Sequence, residues 1–136
     1  MVDFTTELGV RAAKRLKEDF VVWLTTISAN GYPQPNPVWF YWDGKVMLIY
    51  SQPSAHKVKN IANNPKVSLN FQAREDGTDV IVFTGRASIE KNPPQHDPRY
   101  MEKYRDQIPT IGLTPESLAA SYSILISVAL DKLRGF

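Results

Sequence analysis

The chain has 136 residues, 43% of them hydrophobic and 22% charged, which is the make-up of one ordinary globular domain spanning residues 1–136. It contains no cysteine, so disulfides, thiolate nucleophiles and cysteine metal sites are excluded. A formal net charge of +2 places no demand for nucleic acid on the chain and suits a small anionic ligand.

The first twenty residues carry charges throughout and lack an apolar stretch, so no signal peptide is expected and the cytoplasm is the expected compartment. No run of about 20 apolar residues offers a membrane span. Phe4, Leu8, Ala12 and Leu16 recur at helical spacing and predict a helix over Phe4 to Lys17. The β-branched and aromatic run from Phe20 to Ser28 predicts a strand, and Asn30-Gly31 a hairpin turn. Gln34 to Tyr41 follows as a second strand, marked as an edge or bulged segment by Pro33, Pro35 and Pro37.

Asp43-Gly44 gives the next turn and Lys45 to Ser51 the third strand, so that three strands form a meander. Ser54 is placed to cap a helix running to about Asn63. Lys66 to Arg74 reads as a fourth strand with Val67, Leu69 and Phe71 facing inward, and Val80 to Ile89 as a fifth. A loop from Lys91 to Pro98 leads to a helix capped by Asp97 and ending near Gln107. Thr114-Pro115 opens another short helix. The sixth strand, Ser123 to Leu130, precedes a basic tail, Lys132 to Phe136. Six strands on short turns with few, peripheral helices predict a mainly β fold, an antiparallel barrel.

Familiar catalytic signatures are missing. No GxG occurs, which removes the glycine-rich phosphate turn of a nicotinamide dinucleotide site, and there is neither a P-loop nor a GxSxG elbow. His56 and His96 are far apart and fit no metal-ligand spacing, so no metal site is expected. Any hard chemistry would belong to a bound cofactor.

Two segments carry the functional reading. Helix first turns favour acidic residues, yet His56 and Lys57 occupy this one, with Lys59 close behind. An anion docked on free N–H groups, hydroxyls and the lysine would offset that placement; a solvated lysine face is the plainer alternative. In the run Trp39-Phe40-Tyr41-Trp42, alternation sends Trp39 and Tyr41 to one face and Phe40 and Trp42 to the other. One face is core, and the second either lines a planar ligand or fills a subunit interface.

The stretches GYPQPNPVWFYWDGK, VMLIYSQPSAHKVKNI, NNPKVSLNF and the closing KLRGF resemble the pyridoxamine 5′-phosphate oxidase-like superfamily. The PxPVWFxWDG stretch is similar to its small flavin/deazaflavin oxidoreductases, the branch associated with coenzyme F-420. This resemblance implies a six-stranded split β-barrel homodimer with two cofactor sites at the subunit interface. It implies a phosphate grip at Ser51, Ser54, His56 and Lys57, a ring edge along the backbone of Pro37, Val38 and Trp39, and a ribityl chain beside Tyr50 and Ser51. Relatives that bind flavin mononucleotide (FMN) often carry Ser-Arg-Lys where this chain has Ala55-His56-Lys57, so the grip here rests on a single lysine. A longer anionic tail would lie toward Lys59, Lys14 or Arg15.

The expected activity is an oxidoreductase in which reduced coenzyme F-420 delivers a hydride to a small organic substrate, with no catalytic side chain assigned. FMN is the alternative cofactor, and a non-catalytic carrier of either is a further alternative. A nucleic-acid-binding barrel is disfavoured because the basic residues are not concentrated around the aromatic strands.

Overall fold

The computed structural model describes residues 1–91 and 96–136. Among the described residues, seven antiparallel strands form one sheet that curls into a split barrel: β1 (Val22–Ile27), β2 (Pro33–Val38), β3 (Tyr41–Trp42), β4 (Val46–Ser51), β5 (Lys66–Asn70), β6 (Ile81–Lys91) and β7 (Ile124–Gly135). Their order across the sheet is β2-β1-β5-β6-β7-β4-β3. Among the described residues the helices are α1 (Glu7–Glu18), α2 (His56–Asn63), α3 (Pro98–Lys103) and α4 (Pro115–Ser121), with a 3-10 turn at Ile108–Ile111.

Six strands become seven because the expected strand over Gln34 to Tyr41 is broken. Residues 33–38 pair with β1 and residues 41–42 with β4, at opposite ends of the sheet. The expected meander is therefore replaced by a chain that crosses from one sheet edge to the other at Trp39-Phe40. The prolines do mark an edge, since among the described residues β2 pairs only with β1. Gly31 and Gly44 take positive φ angles of 87° and 96° in the two turns that Asn-Gly and Asp-Gly announced.

The closing strand runs to Gly135, so the basic tail is part of the ladder. It pairs with β6 along its length, past a register shift at Thr84/Gly85. Lys132 and Arg134 thus belong to a strand, paired opposite Thr84 and Val82. The helix expected to reach Gln107 stops at Lys103 and gives way to the 3-10 turn. Part of the expected loop from Lys91 to Pro98 lies outside the described residues.

Two apolar clusters result. The larger gathers Leu24, Met47, Leu69, Phe83 and Ile126 from the sheet and Phe40 from the crossing, with Ala12 and Leu16 of α1 and Val58 and Ile61 of α2. The smaller packs Tyr50 of β4 against Tyr100, Tyr104, Ile108 and Leu118 of the helical segment, with Trp39 and Tyr41 alongside. Trp39 and Tyr41 thus face one cluster and Phe40 and Trp42 the other, as the alternation required. α1 is fastened by Arg11 and Arg15, which each donate to Asp79 at 2.9 Å and hold its carboxyl below the usual carboxylate range.

Candidate functional site

Where the two clusters meet, a cavity of about 380 Å³ opens. The β2 end supplies Pro37 and Val38, and Trp39 follows; β4 supplies Tyr50, and the start of α2 supplies Lys57. Tyr100, Ile111, Leu118 and Tyr122 close it from the helical segment, and Val21 stands at the rim. A cavity of this size with apolar and aromatic walls and few polar groups is typical of a small-ligand site.

Five of the eight residues singled out in the sequence therefore share one wall: Pro37, Val38, Trp39, Tyr50 and Lys57. The remaining three do not line it. Ser51 is fully buried at the end of β4 and donates to the Gln52 carbonyl at 3.0 Å. Ser54 and His56 are exposed. Ser54 does not cap the helix: the cap position falls on Ala55, whose methyl offers no oxygen. The helix begins one residue later than the sequence suggested because Ala55 still has extended backbone, with ψ at 139°.

That late start sharpens the electrostatics. The first turn of α2 has no side-chain cap and no acidic residue. Lys57 sits in that turn, half-buried, and pairs with no carboxylate among the described residues. Burial pulls its amine below the ordinary lysine range. A desolvated cation beside uncapped N–H groups is an arrangement that an anion would relieve. Lys59 is exposed and lines a different surface groove, so the two lysines do not act together. Arg15 is likewise committed elsewhere, to Asp19 and Asp79.

The aromatic wall is tightly interlocked. Trp39 stacks on Tyr104 with ring centroids 4.4 Å apart and planes 2° from parallel. Tyr50 meets His96 and Tyr100 edge-on, at 3.8 and 4.7 Å. Its hydroxyl accepts the Asp97 N–H at 2.8 Å, which ties the start of α3 to β4. Burial raises the hydroxyls of Tyr50, Tyr100 and Tyr104, Tyr100 well above its ordinary value, so these three stay protonated near neutral pH. Sequence reasoning did not single out Tyr100, Leu118 and Tyr122, because apolar and aromatic spacing in short helices signals packing rather than a cavity wall.

A profile of pyridoxamine 5′-phosphate oxidase matches residues 10–134. The chain belongs to that family. Solved structures agree on the fold. An F420 reductase is 24% identical, with a TM-score of 0.69, 89% of this chain and 94% of that one being covered. General Stress Protein 26 from Bacillus anthracis is 22% identical, with a TM-score of 0.69 and coverage of 94% and 92%. HutZ, the heme storage protein from Vibrio cholerae, is 15% identical, with a TM-score of 0.66 and coverage of 96% and 95%. No curated protein matches the chain. Within this pyridoxamine 5′-phosphate oxidase-family barrel, no described helix is long and apolar enough to cross a membrane.

Proposed function

We propose that the cavity holds a flavin or deazaflavin and that the protein is an oxidoreductase working with coenzyme F-420. The observation that carries this reading is Lys57: a half-buried amine in an uncapped first turn, opening into a cavity edged by Pro37, Val38 and Trp39. The donor set fits. Lys57 and the first-turn N–H groups offer charge-assisted bonds to one phosphate. The backbone of residues 37–39 offers polar groups to a ring edge, and Trp39 and Tyr50 offer flat apolar faces. Ser51, Ser54 and His56, which do not line the cavity, stay in the proposal only as neighbours of Lys57 in the same segment.

When bound in its reduced form, the cofactor would supply a hydride to an activated double bond, the accompanying proton coming from solvent. The chain itself contributes position and exclusion of water. Trp39 and Tyr50 would flank a bound ring, Lys57 would anchor its phosphate, and the helical segment closes the cavity. A two-fold dimer with the cofactor at the interface is part of the proposal, since Val21 and Ile111 at the cavity lining are 42% and 50% exposed apolar side chains.

FMN is the second reading, favoured by the single cation, which matches one phosphate without a longer anionic tail. Carriage without catalysis would use the same cavity, and haem is the poorer fit because no histidine lines it among the described residues. Titration of the purified protein with FMN and with coenzyme F-420 tests the binding. Each reduced cofactor and a reduced nicotinamide, supplied alone with a conjugated enone, tests the chemistry. Turnover with coenzyme F-420 is expected; turnover with the nicotinamide alone would overturn the reading.

A further inference from the structure

Phe40 is fully buried, yet both of its backbone groups are bonded by side chains from the end of α3. Its N–H donates to the Tyr104 hydroxyl oxygen at 2.8 Å, and its carbonyl accepts from Lys103 Nζ at 2.8 Å. Tyr104 has one hydroxyl proton, and the Phe20 carbonyl at 2.6 Å is its nearer acceptor. Lys103 is therefore the donor that serves the Phe40 carbonyl, although Tyr104 Oη stands 3.0 Å away.

The Lys103 amine is more than a hydrogen-bond donor here. It lies 3.6 Å from the Phe40 ring centroid, with the Tyr104 and Phe20 rings at 5.2 and 5.9 Å. Such faces attract a cation. Held in this way, Phe40 cannot continue the ladder of β2, and the chain crosses between sheet edges at this point. Trp39, one residue earlier, is laid flat on Tyr104 and forms a wall of the cavity.

We propose that Lys103, together with Tyr104, is a positioning residue for the cavity, fixing Phe40 and through it the Trp39 wall against which a cofactor ring lies. The cofactor part of this rests on the flavin or deazaflavin reading above. Burial holds the Lys103 amine down to about 8, with the Asp19 carboxylate opposing. A neutral amine still donates to a carbonyl, so the pin operates on either side of that pH.

The test compares Lys103→Met, which keeps an unbranched apolar stem and loses the donor, with Lys103→Arg, which keeps a cationic donor. The near-ultraviolet circular dichroism band that disappears in Trp39→Phe reports the Trp39 stack. FMN and coenzyme F-420 are then titrated into each variant. Lys103→Met is expected to lose the band and to bind the parent's preferred cofactor roughly ten-fold more weakly, with unchanged far-ultraviolet dichroism. Lys103→Arg is expected to recover both. A Met variant with the parent's band and affinity overturns the proposal, as does an Arg variant no better than Met. Should Lys103→Met not fold, Tyr104→Phe is read in the same way, with a retained band and affinity counting against it. If the parent binds neither cofactor, the cofactor reading falls, while the Trp39 band still decides what Lys103 does.

Discussion

At the scale of single residues, Lys57 and Lys103 are both lysines drawn out of water, and they differ in what meets them. Lys57 finds no anion among the described residues, whereas Lys103 finds a carbonyl and three rings. Removing Lys57 is therefore expected to leave the fold intact. Lys57→Ala should weaken cofactor binding about ten- to a hundred-fold, the worth of one charged hydrogen bond, with an unchanged or slightly higher melting temperature. Isothermal titration and a thermal melt of the same sample check both halves. For Lys103 the sign of the pH effect follows from its amine lying at about 8 against an ordinary 10.5. Between those values the unfolded chain holds the proton more often than the folded one, so stability rises with pH. The parent should gain stability relative to Lys103→Met from about pH 8 upward, measured by urea unfolding at several pH values. Above about pH 10 the buried tyrosines, with raised values of their own, pull the other way in both proteins.

Among the elements, α1 and the β2–β3 crossing show how local preference yields to packing. Alanine is the better helix former by about 1 kcal/mol, which would recommend Gly9→Ala. A Cβ at Gly9 would lie 2.2 Å from the Asp3 carbonyl oxygen, because the N-terminal segment folds back against that face. Gly9→Ala is expected to destabilise by roughly 1–3 kcal/mol, read from the shift in urea midpoint at constant slope. At the crossing, Tyr104→Phe keeps an aromatic ring but removes the partner of the Phe40 N–H and the Phe20 carbonyl, so the Trp39 stack is expected to loosen. Losing those bonds in a buried place is expected to cost about 1–3 kcal/mol.

For the whole molecule, the cavity edge is the deciding feature. Val21 and Ile111 line the cavity and remain 42% and 50% exposed, an arrangement that a second copy would cover. Sedimentation is expected to show a dimer at micromolar concentration. Val21→Glu and Ile111→Glu should each shift it toward monomer and lower cofactor affinity together. A parent that stays monomeric with cofactor bound would separate the cavity from any interface.

The elements that were legible in the sequence are those specified by neighbours in the chain. Val67, Leu69 and Phe71 alternate and are all buried. Asp97-Pro98 and Thr114-Pro115 open helices with side-chain caps, since a cap needs only residues two or three positions away. Even the facing of Trp39 and Tyr41 against Phe40 and Trp42 follows from the two-residue period of an extended chain. The family resemblance was legible too, and five of the residues it singled out, Pro37, Val38, Trp39, Tyr50 and Lys57, line one cavity. What the sequence could not contain was the break at Phe40, because it is held by Lys103 and Tyr104, 63 and 64 positions away. The same holds for the cavity's far wall of Tyr100, Leu118 and Tyr122, and for the closing strand, which continues to Gly135 because β6 is there to pair with it. Local chemistry chose the elements; long-range hydrogen bonds and ring contacts chose where one strand ends and a ligand-sized space begins.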